Sequence, residues 1–140
     1  MLRELDIIKE KAPILAIKYK LDLMVVFGSY ALGKVKKTSD LDIAVLGDIS
    51  FEQELQLAED LKNLTKVERV DLVNLNNSSP LLKRNATTKG ILIYEKNPGL
   101  FSTFRMSSFF EYVETAPLRT MSFLKTKNYI NFSNPIRLKI

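Results

Sequence analysis

At 140 residues the chain has room for one domain, or one domain and a tail. It contains no Cys and no His, which excludes disulfides, thiolate zinc sites and Ser-His-Asp or Cys-His catalysis, and leaves carboxylates as the metal ligands to look for. The formal net charge is +5, no apolar run approaches the ~20 residues that span a bilayer, and MLRELDIIKEK is no signal peptide, so a cytoplasmic protein is expected.

Leu2, Leu5, Ile8 and Ala12 mark one helical face, and Pro13 is expected to kink or restart the helix, since proline suits a first turn. Leu23 to Phe27 is short, apolar and β-branched, the pattern of a buried strand. Gly28 ends it, because a residue without Cβ lets the backbone turn sharply and approach a ligand. Ser29 then offers a hydroxyl and an N–H to a phosphate oxygen. Tyr30 to Leu32 can start a short helix, whose free N–H groups favour an anion, and Gly33 closes the turn. The next strand starts near Leu41 and runs through Ile43, Val45 and Leu46. Side chains alternate along a strand, so Asp40 and Asp42 point one way while Leu41 and Ile43 face the core.

Ser50-Phe51-Glu52-Gln53 has the form of a capping box and opens a helix whose expected core stripe is Phe51, Leu55, Ala58, Leu61 and Leu64. A third strand covers about Arg69 to Asn74 and carries a single acid, Asp71. Ser79-Pro80 begins another helix, which stops before Gly90, and Ile91 to Glu95 is a fourth strand. This order predicts an α/β (α+β) fold: a small mixed or antiparallel sheet with helices on one face. The short link between the first two strands makes them antiparallel neighbours, and the other side of the sheet is left as an open cleft.

The spacing also carries chemistry. Gly28-Ser29 is followed after ten residues by Asp40-Leu41-Asp42, a phosphate-holding turn and then two carboxylates on one face of a strand. Two carboxylates that close repel unless a cation lies between them. Mg²⁺ takes hard oxygen ligands, usually one or two carboxylates and substrate phosphates. Two such ions about 3.5–4 Å apart clamp both the attacking and the leaving oxygen of an in-line displacement. A third carboxylate is then expected on an adjacent strand, and Asp71 is the candidate. These are the parts of metal-dependent nucleotidyl transfer from a nucleoside triphosphate.

GS, ten residues, DxD and a later strand Asp together resemble the DNA polymerase β nucleotidyltransferase superfamily. The stretch FGSYALGKVKKTSDLDIAVL is most similar to its minimal nucleotidyltransferases, which are often antitoxin partners of HEPN-type toxins, helical ribonucleases. The resemblance covers roughly residues 13 to 96. It implies a polymerase β-like fold in which Gly28 and Ser29, with Gly33 and Ser39, hold the nucleotide. Asp40 and Asp42 would bind metal, with Asp71 completing the set and activating the acceptor. The implied activity is transfer of AMP from ATP to a tyrosine of the toxin, as a type VII-like antitoxin. One position departs from the pattern: many members have arginine before the glycine matching Gly33, where this chain has Leu32, although Lys34, Lys36 and Lys37 follow closely.

Residues 1–95 carry 14 basic and 14 acidic side chains, and residues 96–140 carry 7 and 2, so the tail supplies the whole positive excess. Phe101, Phe104, Phe109, Phe110, Tyr112, Phe123, Tyr129 and Phe132 also lie in it. The expected division is a nucleotidyltransferase core over 1–98 and a basic, aromatic tail over 99–140 that packs on the core or on a partner. Its last stretch, Asn131 to Ile140, is expected to be loose. The expected partners are a HEPN toxin and ATP, with no membrane and no nucleic acid. Two other readings stay open: a catalytically idle domain that neutralises a toxin by covering it, and a transferase acting on a small hydroxylated molecule such as an antibiotic.

Overall fold

The structure, a computed structural model, describes residues 3–121. Leu2, Phe123, Tyr129, Phe132 and the 131–140 stretch, all named above, lie outside the described residues. The chain runs α1 (Arg3–Tyr19), β1 (Leu21–Phe27), α2 (Gly28–Leu32), β2 (Leu41–Gly47), α3 (Phe51–Thr65), β3 (Val70–Asn74), α4 (Pro80–Thr88), β4 (Ile91–Glu95) and α5 (Leu100–Glu114). Among the described residues no helix is long and apolar enough to cross a membrane.

The strands form one sheet in the order β3-β2-β1-β4. β1 is antiparallel to β2, as expected, and to β4, while β2 and β3 are parallel. The mixed α/β class therefore stands. The covering of the sheet differs from expectation, because helices lie on both faces. Leu41, Ile43 and Val45 pack under α1 and α3 with Leu5, Ile8, Leu57 and Leu61. Leu23, Val25 and Ala44 pack on the other side with Ala86 of α4 and Phe101 of α5. The reason is visible in β1, whose Leu23-Met24-Val25-Val26 is apolar without alternation and is fully buried, which requires cover on both faces. Gly90 helps α4 sit close: a Cβ there would run into the Ala86 carbonyl and Val25 Cγ1. The second face is thus covered by α4 and α5 over β1, and open space remains beside Asp42 and Asp71 near the starts of β2 and β3.

Two helices also refine the sequence reading. α1 passes through Pro13 without interruption. The hydrogen bond lost there is outweighed by one continuous buried face of Leu5, Ile8, Ala12, Leu15, Ala16 and Tyr19. α3 begins with the predicted capping box, Ser50 Oγ accepting from Gln53 N and Gln53 Oε1 accepting from Ser50 N. Its core stripe, however, is Leu57, Leu61 and Thr65, with Leu64 partly buried, whereas Phe51 and Leu55 are 71% and 57% exposed. The helix has two apolar rows that share Leu61, and packing on the sheet selects the row through Leu57.

Candidate active site

The tips of β1 and β2 meet where Phe27 pairs with Asp42. The next residue, Gly28, has φ +69, in the left-handed region, and a Cβ on it would collide with the Asp42 carboxylate. Conformation and space thus both require glycine at this point. α2 follows directly and ends at Gly33, again left-handed (φ 70), whose N–H donates to the Ser29 carbonyl. Lys34 N donates to the same carbonyl at 3.0 Å, which fixes the Gly28-Ser29 turn from behind. Leu32 is half-exposed on α2.

The loop from α2 to β2 is closed by Ser39, whose hydroxyl accepts from Lys36 N at 2.7 Å while its N–H donates to the Lys36 carbonyl at 3.0 Å. Leu41 N donates to the Arg69 carbonyl at 3.0 Å, which ties the start of β2 to the start of β3. Asp42 and Asp71 are register partners on these parallel strands, so their side chains share one face. Burial first, and then the charges of Asp71 and Asp40, hold the Asp42 carboxyl above its usual range. Asp40 turns toward Arg69, with Nε 3.6 Å from Oδ1. That contact is largely solvated and therefore weak.

The structure thus brings Gly28 and Asp71 beside Asp42, with Asp40 near enough for its charge to act on Asp42. Ser29 follows Gly28, Gly33 bonds the Ser29 carbonyl, and Ser39 lies with Asp40 along a neighbouring cavity. Among the described residues no three acidic side chains are gathered tightly enough to hold a metal ion as they stand. The chemistry of the donors nevertheless fits a hard divalent cation. They are all carboxylate oxygens, and a cation would offset the charges of Asp71 and Asp40 that, after burial, raise the proton affinity of Asp42.

Two cavities flank the carboxylates. One, of about 670 Å³, opens beside Asp40 and is rimmed by Lys36, Lys37, Lys66 and Arg69. The other, a groove of about 440 Å³, contains Asp42 and Asp71 together with Phe27, Phe51 and Leu55. Sequence reading missed Arg69 as a neighbour of Asp40, and it assigned Phe51 and Leu55 to the core. Phe51 and Leu55 lead through Ala58 at helical spacing to Leu61, which the buried row through Leu57 also contains, so spacing alone could not separate the two rows.

A family model described as polymerase beta, nucleotidyltransferase matches residues 9–99. Over 73 residues the chain is 37% identical to the protein adenylyltransferase MntA of Shewanella oneidensis, a match covering 51% of this chain and 52% of that one. The chain thus spans about half the length of this curated relative. A toxin–antitoxin crystal structure with AMP-PNP aligns over 91% of this chain and 98% of the other, with TM-score 0.66 and 24% identity. A structure of a tri-AMPylated Shewanella oneidensis HEPN toxin in complex with its MNT antitoxin aligns over 94% and 98%, with TM-score 0.62 and 22% identity. At those identities the likeness is one of fold.

Proposed function

The chain belongs to the polymerase β nucleotidyltransferase family, and from that premise we propose that it transfers AMP from ATP to a tyrosine hydroxyl of a cognate HEPN toxin, acting in the cytoplasm as that toxin's antitoxin. The observation that carries the reading is the Asp42–Asp71 register pair beside a glycine whose missing Cβ leaves room for the Asp42 carboxylate. The names of the relatives support the choice of substrate: an adenylyltransferase, a complex with AMP-PNP and an AMPylated HEPN toxin.

In the reaction the tyrosine oxygen attacks the α-phosphorus. A new P–O bond forms, the bond from the α-phosphorus to the bridging oxygen breaks, and pyrophosphate leaves. Gly28 lets the backbone come close to the triphosphate, and the Ser29 hydroxyl donates to a phosphate oxygen. Gly33 and the loop closed by Ser39 hold that turn in place. Asp71 takes the phenolic proton. Asp40 and Asp42, completed by Asp71, would hold divalent cations, Mg²⁺ by donor type, which offset the charge on the phosphates when bound.

The test mixes the purified protein with its HEPN partner, α-labelled ATP and Mg²⁺, beside an Asp40→Asn/Asp42→Asn control. Label on the partner with the unaltered protein alone is the expected result. A stable complex without label would favour the idle binding domain, and neither label nor complex would point to small hydroxylated acceptors.

A further inference from the structure

The groove that contains Asp42 and Asp71 has one wall for which the fold has no use. That wall is the α3 row of Phe51 and Leu55, both more than half exposed, standing along β3. Among the described residues β3 is a terminal strand of the sheet, so one row of its backbone N–H and C=O groups faces away from β2, the kind of edge that takes up an extended chain.

The sheet order gives this groove a direction. Gly28 follows β1 on one side of Asp42, and Asp71 lies on β3 on the other side. Phosphoryl transfer places the attacking and leaving oxygens roughly in line, on opposite sides of the phosphorus. With the phosphates held at Gly28-Ser29, the leaving pyrophosphate lies toward β1, and the acceptor oxygen must arrive from the β3 side. That is the side on which Phe51 and Leu55 stand.

We propose that the α3–β3 groove is the acceptor subsite. The ring of the acceptor tyrosine and the apolar residues beside it lie on Phe51 and Leu55, and its hydroxyl reaches the Asp42–Asp71 end. The assignment rests on the adenylyl-transfer reading above, and it names the residues of this chain that select a protein acceptor.

The test compares the unaltered chain with a Phe51→Ala/Leu55→Ala variant, using the HEPN partner and Mg-ATP. Both side chains are exposed, so the variant is expected to fold. Loss of two apolar anchors should raise the KM for the protein acceptor by about tenfold or more. The kcat and the KM for ATP should stay unchanged. An unaltered acceptor KM, or an equal rise in the KM for ATP, would overturn the proposal. A benzophenone photocrosslinker introduced at Leu55 gives a readout that needs no transfer. With AMP-PNP present it should capture the tyrosine-bearing segment of the partner, and capture of any other segment, or of none, would also overturn the proposal. If the unaltered protein transfers no AMP, the functional reading falls, while crosslinking still decides whether the groove seats that segment.

Discussion

Two regions of the molecule treat their acids in opposite ways. On the helical side, Asp60 of α3 accepts hydrogen bonds from the Tyr19 hydroxyl at 2.5 Å and the Lys18 ammonium at 3.0 Å, clasping α3 to α1. Burial raises its proton affinity, but those bonds more than offset it, and the carboxyl lies below its ordinary value. At the strand tips, burial raises Asp42 in the same way and the neighbouring charges of Asp71 and Asp40 raise it further. An acid that belongs to the architecture is supplied with donors by the fold itself, whereas at the tips Asp40 has only a solvated contact with Arg69, and burial and like charges set the proton affinity of Asp42. A group that brings its own positive charge would complete the second region and add nothing to the first.

The comparison breaks if changes in the packed region and at the tips have the same consequences. The largest expected effect is in the core under α1 and α3. Ile43 is fully buried there, and Ile43→Ala should cost about 2–5 kcal/mol in a denaturant titration. Transfer per folded molecule should change little. At the tips the pattern should reverse: Asp42→Asn or Asp71→Asn should lower transfer by about a hundredfold or more, because each removes charge complementarity at the reacting phosphate. Thermal stability should not fall in either variant. Equal losses of stability in both regions would show that the carboxylates are structural.

Gly28 is the position where the two roles cannot be separated. Gly28→Ala forces a side chain into left-handed backbone, which costs about 1–2 kcal/mol. It also displaces the Asp42 carboxylate. Both the melting temperature and the transfer rate should therefore drop together. A variant that lost stability but kept full transfer would show that Asp42 tolerates displacement.

How much of this was legible in the sequence follows the range of the interactions. The capping box at Ser50, the Ser79-Pro80 start of α4, the turn closed by Gly33 and the β4 span are set by neighbours in the chain, and they were readable. Alternation along β2 likewise placed Leu41 and Ile43 in the core. What failed depends on distant partners. The second layer of helices was missed because α4 meets β1 only in the folded chain. The choice between two apolar rows on α3 is decided by which row the sheet accepts. The same selection leaves Phe51 and Leu55 outside the core, where they line the groove with Asp42 and Asp71. Of the candidate site, the residue types and their spacing were legible, whereas Arg69 beside Asp40 comes from the pairing of β2 with β3.

The smallest expected effect is the most direct measure of the contrast between the two acids. Asp60, with its folded value lowered, contributes stability that is present above its ordinary 3.8 and is lost as pH falls through the folded value. Asp42, with its folded value raised, contributes stability that is full below 3.8 and is lost as pH rises through the folded value. Acidifying the protein in a chelator should therefore reveal two contributions of opposite sign. Asp60→Asn should flatten the loss of melting temperature on the acid side. Asp42→Asn should raise the melting temperature at neutral pH by on the order of a degree or two, with the gain vanishing as the pH falls and the unaltered Asp42 becomes neutral as well. Adding Mg²⁺ at neutral pH should stabilise the unaltered protein and leave Asp42→Asn where it was, since a ligand that binds only the folded form stabilises it by mass action. If Mg²⁺ raised both melting curves equally, the ion would be acting elsewhere, and the crowded carboxylates at the strand tips would need another explanation.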